Sequence, residues 1–253
     1  MNGGDSANEL GIHDFDFSVA ATFPDFLYSN QPLYVVPSFS LHLWQGPQPP
    51  HGDLPANAYS AFLDTGWSTD PTKPLGGEVG VRVGIFSDFN TFNTNSFRIM
   101  GQGLFRLRAT PTTVVRGGVS YINRNKLKLL PAFGLLWTPN SQTRFDVFFP
   151  RPKLAQRLTT LGTQDVWWYV GGEYGGGAWT IERADGSSDR IDINDIRLTL
   201  GVEWGQASRL QEGRRTGFLE AGWVTEREII YVRHPELSPS MDDTFMFRAG
   251  WNY

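Results

Sequence analysis

Apolar and polar residues alternate along most of this chain with the two-residue period of a strand, not the 3.6-residue period of a helix. Phe15, Phe17 and Val19 oppose Asp14, Asp16 and Ser18, and Phe39, Leu41 and Leu43 oppose Ser38, Ser40 and His42. Val79, Val81, Val83 and Ile85 oppose Glu78, Gly80, Arg82 and Gly84, and Phe97, Ile99, Phe105 and Leu107 oppose Arg98, Gln102, Arg106 and Arg108. The rhythm continues through residues 115–121, 127–137, 144–149, 196–204 and 219–224. The closing segment sets Phe245, Phe247, Ala249, Trp251 and Tyr253 against Met246, Arg248, Gly250 and Asn252. Counting such segments predicts about twelve strands of roughly 9–12 residues, the length that crosses a bilayer at a tilt.

Some stretches are ambiguous. Residues 57–68 fit a strand but also a short helix, and residues 166–182 carry aromatics on both faces among dense glycines, so neither face is assigned. Residues 150–158 have helical flavour and fall in a long connection over 150–164; other long connections run over 45–55, 86–96 and 232–243. Alternation before Asn194 is one residue out of phase with the alternation after it, which predicts a β-bulge near Asn194 and Asp195. Turn chemistry at Thr110-Pro-Thr-Thr, Asn123-Arg-Asn, Thr138-Pro-Asn-Ser and Asp185-Gly-Ser-Ser marks short hairpin links. No internal repeat or linker interrupts the rhythm, so one domain over 12–253 behind a tail of 1–11 is expected.

A charged fraction of 19% beside 14% aromatics and 28 glycines suits strands and interfacial belts better than helices. A net charge of −4 with no basic run argues against nucleic acid as a partner. The absence of cysteine excludes thiolate metal sites, thiol catalysis and disulfides. Mean hydropathy is negative, but that test is blind to barrels, whose alternation averages out. The first residues have no charged start and no apolar core, so they are not expected to be a signal peptide; a mature form carrying an added Met, or a protein that is not exported, fits them.

Alternation alone fits two architectures: a soluble sandwich or barrel with the apolar face packed inward, or an outer-membrane barrel with that face toward lipid and the polar face lining a lumen. The polar face here is rich in Gly and Arg and poor in Lys, which suits an interior ladder of charges. Trp44, Trp67, Tyr121, Trp137, Trp204, Tyr231 and Tyr253 fall near predicted strand ends, as interfacial girdles require. The expected fold is therefore all-β, a single antiparallel transmembrane β-barrel. Lumen-lining candidates are Arg82, Arg98, Gln102, Arg106, Arg108, Arg116, Arg144, Glu173, Arg197, Glu203, Glu220 and Arg248.

The final strand, half apolar and ending on an aromatic, resembles the last strand of bacterial outer-membrane barrels, where it is the signal read by the insertion machinery; Phe245, Phe247, Trp251 and Tyr253 would carry it. The run from Gly103 to Glu182 includes Leu104-Phe-Arg-Leu-Arg-Ala-Thr-Pro, Lys128-Leu-Leu-Pro-Ala-Phe-Gly, Phe148-Phe-Pro-Arg-Pro-Lys-Leu-Ala and Gln164-Asp-Val-Trp-Trp-Tyr-Val-Gly-Gly-Glu-Tyr-Gly-Gly-Gly. It resembles an uncharacterised family of planctomycete proteins placed among outer-membrane β-barrels, and the resemblance covers most of the chain after about residue 56. It implies a fold and the bacterial outer membrane, with a leader removed, but no activity.

Candidate chemistry is sparse. His42 shares a strand face with Ser38 and Ser40, a spacing open to a Ser–His pair, but no acid can be placed beside it, and a lumen-facing or core histidine is the simpler reading. His13 and His51 sit in terminal or loop contexts and His234 precedes a proline; no pair has metal-ligand spacing. The Gly171–177 run lacks the helix and Lys of a phosphate loop. No catalytic residue, metal or cofactor is expected.

Basic lumen candidates concentrate on the middle strands, joined there by Lys128, and acidic ones (Glu173, Glu203, Glu220, Glu226, with Asp14 and Asp16) on the late and first strands. On closure a basic wall would face an acidic one. In a water-filled pore this orients small polar or anionic solutes; in a closed barrel the groups pair across the interior and block it. Passive uptake or binding of a small solute is the leading expectation. A structural or adhesion-type barrel with a charge-plugged lumen is the alternative, with a soluble ligand-binding barrel or a membrane-embedded hydrolase behind it.

Overall fold

The computed structural model describes residues 8–48, 52–211 and 214–252. The chain is all-β, with 68% of residues in strands and 4% in helices. One sheet holds every described strand: β1 (Gly11–Ser18), β2 (Ala21–Phe23), β3 (Leu33–Gln45), β4 (Asn57–Ser68), β5 (Leu75–Ser87), β6 (Phe97–Thr110), β7 (Thr113–Tyr121), β8 (Leu129–Asn140), β9 (Thr143–Phe149), β10 (Lys153–Leu161), β11 (Gln164–Glu182), β12 (Ser188–Gly205), β13 (Gly217–Tyr231), β14 (Ser240–Met241) and β15 (Thr244–Trp251). The short helix α1 (Ala207–Gln211) sits in the β12–β13 connection.

Successive strands pair antiparallel. β2 continues the register of β1 against β3, from Ser18↔Ser38 to Ala21↔Val35. β14 likewise continues β15 against β13. Fifteen segments less these two continuations make thirteen full strands among the described residues, where about twelve were expected. The added strand is β10, in the stretch that had looked helical. Leu154 and Leu158 lie four apart, a spacing that satisfies a helix face and a strand face alike, so periodicity could not decide. Pairing decides it: Lys153, Leu154, Ala155 and Gln156 are bonded to β9 on one side and β11 on the other. Residues 57–68, which also fitted a helix, form β4, bonded along its length to β3 and β5.

A single parallel bridge, Thr180↔Ser87, joins β11 to β5 and closes a circuit of seven strands, β5 to β11, with the remaining strands outside it. The segments leading into β1 and β15 meet at one end. The Asp242 N–H donates to the Asn8 carbonyl at 2.9 Å. The Arg227 guanidinium ties both sides, donating to Leu10 O at 2.7 Å and Asp242 O at 2.8 Å. Beside this seam is a cavity of about 420 Å³ bounded by Leu10, Gly11, Gln45, Arg227, Asp242 and Thr244. Because the strand count is odd, Gly11 and Trp251 lie at opposite ends of the sheet.

Burial through most of the sheet is the reverse of a water-soluble protein's. Phe17 is 69% exposed, Leu200 58% and Phe247 81%, whereas Arg98 is 3% and Glu203 2%. The apolar set of nearly every strand is outermost and the charged set is enclosed, as the alternation predicted. In β11 the unassigned faces resolve: Asp165, Trp167 and Tyr169 are buried, the two aromatics packing with Ala155 and Leu210.

The pattern changes at one end. The register between β12 and β13 shifts between Asn194 and Ile196, at the level where a bulge was expected, but the extra residue is Glu226 on β13, and β12 itself keeps an unbroken register with β11. Glu226 takes φ +50° and is exposed, so its expected place in an acidic lumen wall is lost to the bulge. Beyond the bulge Ile229 and Tyr231 turn inward on β13, and Ile191 and Ile193 continue the inward face of β12. They join Leu10, Trp44, Leu54, Phe86, Trp179, Ile181 and Met241 in a conventional hydrophobic core. Trp44 and Tyr231, expected in an interfacial girdle, are 4% and 0% exposed members of that core. Tyr121 and Trp137 are exposed as a girdle requires; Tyr253 and His51 lie outside the described residues.

Candidate functional site

On the enclosed face of the sheet several charged side chains reach past a neighbouring strand. Arg116 on β7 reaches Asp146 on β9, and Lys153 on β10 reaches Glu203 on β12. Arg248 on β15 spans β13 and β12 to meet Glu173 on β11 at 2.6 Å. One row shows how the sequence permits this: Tyr169, Gly201 and Glu220 are register partners on β11, β12 and β13. A Cβ at Gly201 would lie 2.5 Å from the Tyr169 ring. Its absence lets the phenol cross β12 and donate to the Glu220 carboxylate.

The interior is a lattice of ion pairs. Arg82 holds Asp64 through two bonds of 2.6 and 2.8 Å, the fork geometry that suits a guanidinium to a carboxylate. Asp146 takes both Arg116 and Arg144. Glu173 takes Arg197 and Arg248, Arg197 also holds Asp195 at 2.7 Å, and Arg248 continues to Glu220. Arg98 donates to Asn123 O at 2.9 Å, and Arg106 and Arg108 to carbonyls of the β4–β5 turn. Gln102 lies against Gly80 on the same face and is exposed within it. All twelve lumen candidates thus belong to the inward set. The expected basic wall facing an acidic wall is not what forms: most partners sit on the same or nearby strands, because Asp64, Asp146 and Asp195 supply acids beside the arginines. Asp146 was visible on the polar face; Lys153 was hidden by the helical look of β10 and Asp195 by the apparent phase change at Asn194.

One mouth is covered by the tip of the β11–β12 hairpin. Gly176, at φ +86°, gives the tip a backbone that a side chain would oppose, since a Cβ there would lie 1.9 Å from Ile193 O. On one side the β7–β8 loop grips the tip: Arg124 donates to Gly175 O, Gly176 O and Asn194 Oδ1 at 2.6–2.8 Å, and Asn125 holds Asp192. Burial at this contact lowers the Arg124 pKa from its ordinary value. Lys126 at the rim bonds Glu228 at 2.9 Å, which raises the lysine pKa. At the far side the Asp88 N–H donates to Thr180 O at 3.1 Å, and Asp88 Oδ2 accepts from the Glu182 N–H at 2.7 Å.

The other side of the tip carries Trp179, which packs on a three-residue polar row. Asp14 on β1 is the register partner of His42 on β3, and Ser60 on β4 stands diagonal to His42, opposite Ser40. Asp14 Oδ1 lies 2.7 Å from His42 Nδ1, and His42 Nε2 lies 2.9 Å from Ser60 Oγ. Trp179 Nε1 donates to the same Oγ at 3.1 Å. Ser40 turns away to the Asp16 carboxylate. Of the sequence candidates, His42 is therefore joined by neither Ser38 nor Ser40 but by Ser60. The missing acid is Asp14, visible on the polar face of the first strand but unassignable until β1 is paired with β3.

Among the described residues no group of His, Asp and Glu could hold a metal ion. A scan against protein-family models matches none, and neither curated proteins nor solved structures match the chain.

Proposed function

We propose that this chain is an outer-membrane β-barrel whose lumen is shut in its resting state by its own β11–β12 hairpin. The observation that carries this reading is the reversed burial: phenylalanines and leucines outermost, arginines and glutamates enclosed. In water such a surface would aggregate; in lipid it is the low-energy arrangement. The resemblance of residues 103–182 to a family placed among outer-membrane barrels supports the same location. On this reading Phe245, Phe247 and Trp251, all exposed on β15, contact lipid and form, with Tyr253, the strand presented to the insertion machinery.

The ion-paired interior and the gripped hairpin favour a closed barrel over an open passive pore. Unmet guanidinium donors cluster at Arg98 and Arg190. Arg98 Nε and Nη2 and Arg190 Nε are buried without a hydrogen-bond partner, Arg190 Nε lying 3.9 Å from Asp192 Oδ1, and both guanidiniums already share the Asn123 carbonyl. Unpaired buried donors of this kind are costly unless water or an anion meets them.

Refolding tests the reading. The chain is expected to fold in detergent micelles, with an unboiled gel band that shifts on heating, and to aggregate in plain buffer. A monodisperse fold in plain buffer overturns it. In planar bilayers the native chain is expected to show no steady conductance, and an Arg124→Ala chain, with its cap released, to show channel openings. Steady conductance by the native chain would restore the open pore.

A further inference from the structure

The closed-barrel reading makes no use of the row Asp14–His42–Ser60. Its chemistry is directional. An ionised Asp14 only accepts, so His42 Nδ1 must carry the proton of the 2.7 Å bond; a neutral imidazole then presents a bare Nε2, and the 2.9 Å bond must be donated by Ser60 Oγ–H. A hydroxyl bonded to a base that is itself oriented by an acid is the arrangement that activates a serine. It needs no adjustment of distance here, and it is recognised by geometry rather than by position in the chain.

We propose that Ser60, His42 and Asp14 form a hydrolytic site for carboxylic esters with an apolar acyl group, and that Trp179 governs access to it. Ser60 Oγ attacks the ester carbonyl carbon and yields its proton to His42 Nε2. That proton passes to the leaving oxygen as the bond to the alcohol breaks. Water, deprotonated by His42, then attacks the acyl-serine, releasing the acid and returning the proton to Oγ. The sum is ester plus water giving acid plus alcohol, with no other reactant. Asp14 is a positioning residue that holds the imidazole.

The surroundings select the acyl group. His42 and Trp44 lie with ring centroids 4.9 and 5.0 Å from Trp179, and the stacked pair Phe62 and Phe86 joins the same cluster. Ser60 is 3% exposed, with the indole seated on it. A shift of the hairpin tip that withdraws Trp179 leaves an aromatic-walled space at Oγ.

The test is reaction of the refolded full-length chain with a fluorophosphonate, which phosphonylates an activated serine and expels fluoride, followed by peptide mass mapping and by hydrolysis of p-nitrophenyl butyrate. The readout does not depend on whether lipid or water surrounds the barrel, so it stands apart from the membrane reading. The adduct is expected on Ser60, faster in Trp179→Ala, absent in Ser60→Ala and unchanged in Ser40→Ala. Asp14→Asn is expected to slow labelling by about 100-fold and to change its pH profile. No Ser60 adduct in either the native chain or Trp179→Ala, each with a β-sheet circular dichroism spectrum, overturns the proposal. Equal ester hydrolysis by native and Ser60→Ala chains overturns it as well.

Discussion

The middle of the barrel and its covered mouth are built from the same strands by opposite rules. In the middle, β12 and β13 turn Leu198, Leu200, Leu219 and Trp223 outward and Glu203 and Glu220 inward. A few residues further along, past the bulge at Asn194 and Glu226, Ile191, Ile193, Ile229 and Tyr231 are the buried ones. On β13 the extra residue Glu226 moves the side chains beyond it to the other face; β12 keeps an unbroken register with β11, and its inward face itself changes from Arg197 and Glu203 to Ile191 and Ile193. The middle fits an apolar surround and a polar filling. The mouth has an apolar filling on one face, and on the other face of β12 Asp192 and Asn194 are buried against the β7–β8 loop. On the proposed membrane reading the bulge marks the level at which the surround changes, and the hydrophobic cap falls on the aqueous side of it.

The sharpest way to break this comparison is inside the middle belt. Asp146→Ala leaves Arg116 and Arg144 facing each other without their shared carboxylate. Stranding enclosed charges costs about 3–5 kcal/mol, so the variant should lose that much in denaturant unfolding from vesicles. A loss below about 1 kcal/mol would mean that lumen water solvates the arginines, and the belt would be a wet pore wall rather than an ion-paired filling.

Leu200→Arg, or Phe247→Arg, tests the outside of the same belt. An arginine on the lipid face costs about 2–4 kcal/mol near mid-membrane and little at the interface. The same exposed positions on a soluble protein would tolerate it. A negligible cost at both would invert the assignment of faces, and with it the contrast between belt and mouth.

The belt was legible from alternation because side-chain period is local: every inward arginine and glutamate lies on the face its strand neighbours dictated. What was illegible depended on pairing. Leu154 and Leu158 in β10 suited either period, and only hydrogen bonds to β9 and β11 distinguish them. The acid for His42 is 28 residues away on β1, and the serine beside it belongs to β4, not to the serines two and four positions upstream. The cap was half legible. The phase change at Asn194 gave the level of the bulge but not its strand, since the extra residue is Glu226 on β13, and nothing local says that Trp44 and Tyr231 sit beneath a folded-over hairpin instead of at a lipid interface.

The mouth answers to gentler changes. Ile181 is 0% exposed in the cap core, and Ile181→Val removes one buried methylene at a cost of about 1 kcal/mol. Leu200→Val removes the same group from the outer face, where micelle or lipid fills the space. The first should speed protease cleavage of the 183–187 turn about fivefold, since about 1 kcal/mol is a factor of that size in local opening. The second should leave the cleavage rate unchanged. Equal effects would mean that cap and belt unfold as one unit.

The smallest expected effect is a pH dependence confined to the cap rim. Lys126 has its pKa raised by its bond to Glu228. A folded value above the unfolded one means that the bond's contribution is fully present below the ordinary lysine value of about 10.4 and is lost as pH rises through the raised value. The pair is largely exposed, so its worth is at most about 1 kcal/mol and salt weakens it. Cleavage of the 183–187 turn should therefore quicken slightly in strongly alkaline solution in the native chain. A Lys126→Gln chain should open at the quickened rate at every pH. Because the same comparison subtracts every other titrating group, a step of equal size in both chains would remove Lys126 from the grip on the hairpin and leave Arg124 and Asp88 as its holds.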